Sequence, residues 1–427
     1  EELPKSYLSE EPGAKRGVEN AFDPYAQVRN RISALRAVGH PTDKIELLIL
    51  GGSFSVYPKD YQEWFVRRCF DAMNEVNAHD DPEFETLAQA QARNVHADHR
   101  NVGLVIETRP DLINRDELAW YRYLGVTKIQ MGAQSLDDRI LKLNKRGHTA
   151  QETLAATALL RAGGFKIVLH WMPNLLGATL ASDRVDFKRL WEEGTYYPDE
   201  LKIYPCQLLE KTELYDYWQR GEYQPYSEAD LLDLIADLKT TVPRYCRINR
   251  IIRDIPSTYV VAGNKNTSLR QDIQREMADR GTRCECIRCR EIRGRKLTAK
   301  KVHLHDLVYH PASAEEHFIS YDTDDDQLVA FCRLSLPENA NITGMDDLRD
   351  AAIIREVHVY GQSLEVGEER VGIAQHSGLG TNLIEEAEKI ARRDGFRRLA
   401  VIAAVGTREY YAGRAFQMGD LYMVKEL

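Results

Sequence analysis

The stretch QHSGLGTNLIEEA, residues 375–387, decides how the carboxyl-terminal third of the chain folds. Two glycines, Gly378 and Gly380, allow a tight backbone turn whose N–H groups point into one concavity. The amphipathic pattern that follows predicts a helix, and its positive amino-terminal end adds to the attraction for an anion. The sequence therefore predicts a pyrophosphate-binding turn; an ordinary turn that opens a helix is the alternative.

The segments on either side of this turn favour a binding site. An apolar strand is predicted before it, over residues 351–360, and a second strand after it, over residues 399–405. Tyr410 and Tyr411 follow the second strand. This order of strand, turn, helix, strand and tyrosine resembles that of the GNAT acetyltransferases, which bind acetyl-CoA.

Side chains around the turn are candidates for thioester chemistry. Tyr411 could donate a proton to a departing thiolate, or it could be a core aromatic, and the two roles could be divided between Tyr410 and Tyr411. Glu356 and His358 are two residues apart on a predicted strand and so share one face, where both could meet the thioester. The expected contacts of acetyl-CoA are Glu356, Val357, His358, Val359, Gln375, Gly378, Leu379, Gly380, Thr381 and Tyr411.

Composition bounds the class of protein. The chain has 427 residues, enough for two or three domains, with 43% hydrophobic and 29% charged residues. A net charge of -9 argues against a uniformly basic nucleic-acid binder but leaves room for a local basic patch. Without an apolar run near the ~18 residues of a membrane span, we expect a cytoplasmic protein with no membrane contact. Seven cysteines, three of them close together, indicate a reducing compartment and a metal site.

The first two-thirds of the chain predict a partial (βα)6 barrel. Short apolar strands alternate with helical patterns such as those at 60–73, 151–162 and 228–240. The six predicted strands are 45–50, 102–107, 128–131, 166–171, 201–204 and 246–252. In such folds the chemistry gathers at the carboxyl ends of the strands. The polar residues there that could bind a cofactor are Gly51, Gly52, Glu107, Arg109, Gln134 and Lys202, with Lys166 and Asn174 as weaker candidates.

Two pairs of these residues have alternative interpretations. Gly51 and Gly52 let a ligand approach the backbone closely, but a plain tight turn explains them equally well. Glu107 and Arg109 could instead pair with each other. Beyond the barrel, strands are predicted at 302–312, 316–322 and 327–336, so an α+β domain follows.

The motif Cys284-x-Cys286-x-x-Cys289 predicts a metal site. Thiolates at this spacing can surround one tetrahedral Zn²⁺, and His303, His305 or Cys246 could complete it. Three free thiols in a surface loop are the alternative.

A dense run of arginines and lysines surrounds these cysteines. In an acidic protein such a patch favours contact with a polyanion over a merely solvated face. The expected nucleic-acid contacts are Arg247, Arg250, Arg253, Arg270, Arg288, Arg290, Lys300 and Lys301.

Thirteen further motifs make the whole chain resemble one family. They are FDPY at 22–25, GHPTDK at 39–44, GGSF at 51–54, YQEWF at 61–65, IETRPD at 106–111, QMGAQS at 130–135, RGHT at 146–149, MPN at 172–174, LKIYP at 201–205, RDIP at 253–256, NTSLR at 266–270, RCRE at 288–291 and REVHVYG at 355–361. With the turn at 375–380, they resemble the catalytic subunit of Elongator in its bacterial and archaeal single-subunit form.

The resemblance implies an α/β radical SAM barrel over residues 1–292, ending in a zinc-binding basic segment at about 265–292. It implies a GNAT, lysine-acetyltransferase-like domain over 293–427. The implied activity is formation of a carboxymethyl-type group on the wobble uridine of tRNA from acetyl-CoA, S-adenosylmethionine and a 4Fe–4S cluster. Gly51, Gly52, Glu107, Arg109 and Gln134 would then contact S-adenosylmethionine, and Lys44 would contact acetyl-CoA across the domain boundary.

Two departures from the family pattern stand out. The family holds its cluster with three cysteines upstream of the segment equivalent to PKSY at 4–7, whereas the first cysteine here is Cys69, inside a predicted helix. We therefore do not expect this chain as given to assemble the cluster. Ala415 replaces a glycine beside the tyrosine pair. A protein lysine acetyltransferase and a tRNA-binding scaffold with a regulatory acetyl-CoA site are the alternative functions.

Overall fold

The computed structural model describes residues 7–75, 85–292, 302–339, 341–360 and 378–427. Their strands are β1 (Lys44–Ile49), β2 (Arg100–Thr108), β3 (Lys128–Gln134), β4 (Lys166–Trp171), β5 (Glu200–Ile203), β6 (Leu208–Leu209), β7 (Arg247–Arg250), β8 (Val260–Ala262), β9 (Val302–Tyr309), β10 (Ala314–Thr323), β11 (Leu328–Pro337), β12 (Ala351–Val359), β13 (Arg398–Val401), β14 (Gln417–Met418) and β15 (Met423–Glu426).

The helices are α1 (Pro12–Glu19), α2 (Pro24–Ala37), α3 (Lys59–Met73), α4 (Leu87–Asn94), α5 (Arg115–Leu124), α6 (Asp138–Leu143), α7 (Ala150–Ala162), α8 (Leu180–Lys188), α9 (Glu213–Gln219), α10 (Glu228–Thr240), α11 (Leu269–Asp279), α12 (Ile287–Arg290), α13 (Leu379–Arg393) and α14 (Arg408–Ala412). The predicted helices at 60–73, 151–162 and 228–240 match α3, α7 and α10 to within one residue at each end.

Six parallel strands form an open half barrel. They run in the order β1-β2-β3-β4-β5-β7, and every neighbouring pair is parallel. β1 and β7 are the two edges of the sheet, so the barrel is not closed. The prediction of a partial (βα)6 barrel and of all six strands is confirmed.

The inner face of the half barrel is polar, which the short apolar runs did not predict. Alternate residues of each strand point to the same face. On β3, β4, β5 and β7 the inward positions hold Lys128, Gln130, Lys166, His170, Glu200, Lys202, Arg247 and Asn249. The outward positions are apolar and pack on helices. The hydrophobic runs in the sequence therefore come from the outward face and give no information about the polar inner face.

The second domain is a seven-stranded sheet in the order β14-β15-β13-β12-β11-β10-β9. Its pairs are antiparallel except β12 with β13. One face packs on the half barrel and the other on α13, which gives two separate hydrophobic clusters. The α+β GNAT-like prediction is confirmed for its strands at 302–312, 316–322, 327–336 and 351–360.

The strand predicted at 399–405 ends earlier, at Val401, and residues Val405–Thr407 form a 3-10 turn. This turn packs against β2: a Cβ on Gly406 would lie 2.6 Å from Cβ of Arg100 and 2.8 Å from the Asn101 carbonyl oxygen. Contact with the first domain therefore bends the chain away from β12. β12 and β13 pair only as far as Ile354 and Val401, and the two strands separate beyond that point.

Buried charges join the two domains. Asp199, which precedes β5, accepts from Arg355 of β12 through both carboxylate oxygens, one of them at 3.0 Å. Arg355 also donates to Glu316 of β10 at 2.8 Å and to the Phe165 carbonyl oxygen at 2.8 Å. Arg333 of β11 lies 3.5 Å from Asp199. All four of these side chains are at most 1% exposed, so removing one partner would leave an uncompensated charge in the core.

We expect Asp199→Asn to lower the free energy of unfolding by about 3–5 kcal/mol, because the buried arginines Arg355 and Arg333 would lose the carboxylate they share and keep only Glu316 and Glu356 as charged partners. Burial raises the pKa of Asp199, but Arg355, Arg333 and Arg161 outweigh it and lower the pKa to about 2. Its contribution is therefore present above the unfolded pKa of ~3.9 and is lost as pH falls toward 2. Urea unfolding at pH 7 and at pH 3 measures both effects. Asp279→Asn, at an exposed position on α11, is the control, and an Asp199→Asn protein as stable as this control would contradict the prediction.

Candidate functional site

One cavity of about 1470 Å³ connects the half barrel to the second sheet. It runs along the polar inner face of the barrel. Glu107 and Tyr204 line it near the carboxyl ends of the barrel strands. Glu356, His358 and Tyr411 of the second domain line its other end, where Lys166 at the start of β4 contacts Glu356. The two sites predicted from sequence thus open into a single space.

The residues expected to contact S-adenosylmethionine gather at the carboxyl ends of the strands. Gly52, Glu107, Arg109 and Gln134 all line the cavity. Gly51 and Gly52 have φ of 145° and 87°, and no atom lies within 4 Å of a Cβ built on Gly51, so a ligand can approach the backbone there. Gln134 has a strained φ of 66°, and its buried Oε1 has no hydrogen-bond partner among the described residues. These residues fit a polar cofactor such as S-adenosylmethionine.

Glu107 and Arg109 do not pair with each other, so that alternative is wrong. Oε2 of Glu107 accepts from the Tyr7 hydroxyl at 2.6 Å, and Oε1 lies 4.0 Å from Nζ of Lys202. Nε of Arg109 donates to Asp111 at 3.0 Å. Glu107 is therefore held inside the cavity, whereas Arg109 is turned toward its rim.

Lys202 and His170 form the centre of the cavity, and both contact Gln130. Burial lowers the pKa of Lys202 to about 8 and the pKa of His170 well below its ordinary value. His170 was missed in the sequence because it sits in an apolar run. The signal that could have found it is its spacing of four residues from Lys166 on one strand, which places both on the inner face.

At the second domain, Glu356 is held between two cations. Its carboxylate accepts from Nζ of Lys166 and, at 2.9 Å, from Nε of Arg333. Burial raises the pKa of Glu356, but Lys166 and Arg333 outweigh it and hold the pKa well below its usual range. Glu356 is therefore a fixed carboxylate. Lys166, a weak candidate in the sequence, proves to be the barrel residue that reaches it.

His358 shares the face of Glu356, as predicted. Its ring stacks on Phe331 with centroids 5.6 Å apart and contacts Tyr360. The side chain of His358 is open to the cavity, but the surrounding protein atoms still desolvate it and lower its pKa, so its imidazole is neutral at pH 7. Val357 and Val359 point to the other face, where Val359 lies 3.7 Å from a Cβ built on Gly380.

The first turn of α13 lies beside this face. Gly378 precedes the helix, Leu379 is buried in the core, and Gly380 packs against Tyr410, whose hydroxyl would be 2.5 Å from an added Cβ. Oγ1 of Thr381 accepts from Arg414 at 2.8 Å. Gln375 lies outside the described residues.

Arg414, which the sequence reasoning missed, supplies a positive charge here. Its guanidinium lies 3.6 Å from the Tyr410 ring centroid. Together with the start of the helix, it makes this corner suitable for an anion.

The two tyrosines have different surroundings. Tyr411 is 7% exposed and lines the cavity, and burial raises its pKa, so the phenol is protonated at neutral pH. Tyr410 is 39% exposed and lies between Gly380 and Arg414. The hydroxyl available inside the cavity is therefore that of Tyr411.

Lys44 begins β1 and is exposed, outside the residues that line the cavity. Its strand partner Arg100 packs against Gly406, so the two domains do touch next to it. Contact of Lys44 with acetyl-CoA stays a prediction.

Ala415, at the second departure from the family pattern, has φ of 66°. A glycine adopts this left-handed conformation without strain, which accounts for the residue the family prefers there.

The cysteine motif fits a metal ion. The Sγ atoms of Cys284, Cys286 and Cys289 lie within 4.8 Å of one another, and no fourth histidine, cysteine or carboxylate of the described chain joins them. His303 instead pairs with Asp324 at 2.7 Å. Lys239 lines a small cavity with Cys284 and Cys289; it is fully buried, and its ammonium has no hydrogen-bond partner among the described residues. A metal ion bound by three thiolates has a net negative charge, which would compensate the charge of this buried ammonium.

The same three cysteines are not placed to hold the cluster that the resemblance implies. They lie beside the open edge of β7, where the Ile287 amide donates to the Cys246 carbonyl oxygen at 2.9 Å. Across the described ranges, no group of three cysteines occurs at the carboxyl ends of the barrel strands. The described residues therefore do not fit a 4Fe–4S cluster, and Cys69 is buried inside α3 as expected.

The predicted nucleic-acid contacts differ in their surroundings. Arg290 is 4% exposed and donates to Asp322 at 2.8 Å, so it joins the domains and cannot reach a phosphate; that prediction is wrong. Arg247, Arg250, Arg253 and Arg288 line the cavity. Arg270 donates to the Ile248 carbonyl oxygen, and Lys300 and Lys301 lie outside the described residues.

We expect the purified protein to contain about one zinc per chain. Replacing Cys284, Cys286 or Cys289 with serine should abolish zinc binding, because two remaining thiolates are too few to hold the ion. Elemental analysis of purified protein measures this. Cys69→Ala, at a buried cysteine far along the chain from the motif, should keep the zinc. A folded, zinc-free wild-type protein would contradict the assignment.

Among the described helices, none is long and apolar enough to cross a membrane. Residues 27–187 match the Radical SAM superfamily, and residues 198–279 match the Radical_SAM C-terminal domain. The chain is 40% identical to the tRNA uridine(34) acetyltransferase of Methanocaldococcus jannaschii, over 100% of this chain and 79% of that protein. It is 34% identical to Elongator complex protein 3 of Homo sapiens, over 99% and 77% of the two chains.

A solved structure gives the same result. The archaeal Methanocaldococcus infernus Elp3 with an N-terminus deletion (1-46) superposes with a TM-score of 0.88 and 39% identity, covering 96% of this chain and 97% of that one. The chain therefore belongs to the family of the tRNA uridine(34) acetyltransferases and Elongator complex protein 3.

Proposed function

We propose that this protein modifies uridine 34 of tRNA, building a carboxymethyl-type group at C5 from acetyl-CoA by radical SAM chemistry. The observation that carries the proposal is the single cavity lined both by Glu107, Gln134 and Lys202 of the barrel and by Glu356, His358 and Tyr411 of the second domain. A protein that only acetylated lysine side chains would have no use for the barrel end of this space.

At the barrel end, the chain's own residues bind and orient the cofactor. S-adenosylmethionine, when bound, would supply one-electron chemistry that activates an unreactive C–H bond; the electron would come from a 4Fe–4S cluster whose ligands are not among the described residues. Gly51 and Gly52 carry no side chain that would block the approach of S-adenosylmethionine to the backbone. The Oε1 atom of Gln134, which has no partner among the described residues, accepts a hydrogen bond from one of its N–H or O–H groups. Glu107, fixed by Tyr7, offers a carboxylate to its amino or hydroxyl groups.

At the other end, acetyl-CoA lies with its pyrophosphate on the first turn of α13, near Arg414 and Thr381. β12 and β13 separate beyond Ile354, which leaves a cleft for the pantetheine arm. The thioester then reaches the cavity beside Tyr411.

The proposal includes hydrolysis of the thioester at this end of the cavity. Water attacks the carbonyl carbon, and neutral His358 accepts a proton from that water. The C–S bond breaks, and Tyr411 donates its phenolic proton to the departing CoA sulfur. Lys166, held by Glu356, faces the negative charge that develops on the carbonyl oxygen.

The anticodon loop of tRNA would reach the cavity past Arg250, Arg253 and Arg288. Arg250 is exposed and pairs with Asp254 at 2.8 Å, a contact that a phosphate can replace. Arg253 pairs with Glu11 and lies over the Tyr7 ring, 4.8 Å from its centroid. Tyr7 bonds Glu107, so Arg253 links the rim to the cofactor site.

Gly380→Glu should abolish acetyl-CoA binding, because it adds a carboxylate at the pyrophosphate turn. Gly380→Ala is the matched control: its Cβ would clash with the hydroxyl end of the Tyr410 side chain, which can move, and would make an ordinary contact with Val359, so we expect a loss of less than about tenfold. Calorimetry measures both affinities. Unchanged affinity in Gly380→Glu would rule out this turn as the pyrophosphate site.

Release of free CoA should be slow without tRNA and stimulated by it, because docking of the anticodon loop completes the thioester end of the cavity. Tyr411→Phe should lower the stimulated rate by about 10²–10⁴-fold with little change in acetyl-CoA affinity. Tyr410→Phe serves as the comparison and should retain most of the rate. Equal rates with and without tRNA would refute the coupling, and efficient acetylation of a lysine peptide would favour the acetyltransferase alternative.

Affinity for tRNA should fall steeply with salt, since phosphate contacts release counterions. Replacing both Arg250 and Arg288 with alanine should weaken binding and flatten the salt slope by about one unit per lost contact. Arg36→Ala removes an exposed arginine of α2 that does not line the cavity. If the double variant keeps the slope of Arg36→Ala, tRNA uses a different surface.

A further inference from the structure

A second group of metal-binding side chains lies on the outer part of the second domain. His317 of β10 is 1% exposed, and its ring contacts a carboxylate on each side. Nδ1 lies 2.8 Å from Asp306 of β9, and Nε2 lies 3.2 Å from Oε1 of Glu315. Glu315, His317 and Asp394, which directly follows α13, form a group whose ligand atoms all lie within 4.8 Å of one another.

The spacing suits one metal ion. Nitrogen and oxygen ligands lie about 2.0–2.2 Å from Zn²⁺, so two ligands of one ion are roughly 3–3.5 Å apart. The 3.2 Å between Nε2 of His317 and Oε1 of Glu315 is in that range. A small shift of the exposed Asp394 side chain would bring its oxygen to the same distance.

The second nitrogen of His317 is positioned as metal ligands require. A histidine that binds a metal almost always directs its other ring nitrogen to a carboxylate or carbonyl, which fixes the ring and raises its basicity. Asp306 provides this contact to Nδ1 and leaves Nε2 directed at Glu315. A second histidine, His310, lies with Nε2 3.1 Å from the other oxygen of Glu315, close enough to supply a further ligand.

The electrostatic balance also favours a cation. Asp306, Glu315 and Asp394 bring three carboxylates together, and the carbonyls at the end of α13 add partial negative charge. Arg393 is a neighbouring cation; it is 62% exposed and donates to Asp394 at 3.0 Å from the solvent side. His317 is a second cation when protonated, and a bound metal ion would take the place of the proton between Nε2 and Glu315. A single divalent ion would offset the remaining charge.

We propose that Glu315, His317 and Asp394 bind a divalent transition metal ion of the Zn²⁺ type, with Asp306 orienting His317. The ion would fasten the carboxyl end of α13 to β10. The amino end of the same helix carries the turn at Gly378 and Gly380, so the ion would hold the helix that presents this turn. The site shares no residue with Cys284, Cys286 and Cys289 and offers nitrogen and oxygen ligands in place of thiolates.

The test begins with purified chain that a mild chelator has brought to one zinc per chain, held by the three thiolates, as elemental analysis checks. This protein is titrated with Co²⁺ and followed by visible absorption and thermal unfolding. Once the thiolate site is filled with zinc, one further equivalent of Co²⁺ should bind and give ligand-field bands without sulfur-to-cobalt charge transfer. The unfolding midpoint should rise with the metal concentration. Absence of saturable binding up to millimolar Co²⁺ would overturn the proposal.

Variants identify the ligands. His317→Ala should remove the second equivalent, and Asp306→Asn, which changes only the orienting contact, should weaken it by about 10- to 100-fold. His303→Ala is the matched control, because His303 lies on the neighbouring strand, is exposed and has a single carboxylate partner. If His317→Ala destabilises the metal-free fold, Glu315→Gln gives the same test without removing a buried ring. Full Co²⁺ affinity in both Glu315→Gln and Asp306→Asn would assign the metal elsewhere and refute the site.

Discussion

The buried ion pair between Asp199 and Arg355 is the contact on which the arrangement of this molecule depends. It joins the start of a barrel strand to the central strand of the second sheet, and neither side chain is exposed. A buried pair of this kind adds little net stability compared with apolar residues, but its loss leaves a charge that no alternative packing can satisfy. We infer that it selects one relative position of the two domains.

A local irregularity in β12 makes that position chemically useful. Neighbouring residues of a strand normally point to opposite faces, yet Arg355 and Glu356 both point to the barrel. The register against β11 shifts between Arg333 and Leu334, which makes Arg355 an extra residue in the strand. Glu356 can therefore meet Lys166 of the barrel while Arg355 meets Asp199. His358 then follows on the same face, and Val359 on the face that meets α13.

The polar interior of the half barrel extends this arrangement from one site to the other. Lys166 bridges Glu356 and Glu200, Glu200 also pairs with Lys128, and Lys202 contacts both Gln130 and Glu107. Because each charge is close to one of opposite sign, the cavity can remain open and polar within a compact fold. The candidate residues of the two domains thus line one continuous polar space.

The secondary-structure elements and the local motifs could be predicted from the amino-acid sequence. The six parallel strands, the strands of the second sheet, the helix that begins after Gly378 and the CxCxxC group all follow from periodicity or spacing within a few residues, since these features depend on near neighbours. The family assignment also came from ordered motifs such as GHPTDK and REVHVYG. The face of each strand that lines the cavity could be predicted only in some cases. Glu356 and His358 were correctly placed on one face, whereas His170 on the inner face of the barrel was missed.

Tertiary structure alone decided which charges are structural and which face the cavity. Arg290 and Arg288 are two residues apart in one basic run, yet Arg290 is buried on Asp322 while Arg288 lines the cavity. Asp199 and Arg355 are 156 residues apart, and Lys166 and Glu356 are 190 apart. A buried charge requires a partner of opposite sign, but this requirement does not specify the partner's position in the sequence. The packing of the two sheets determines which residue becomes the partner.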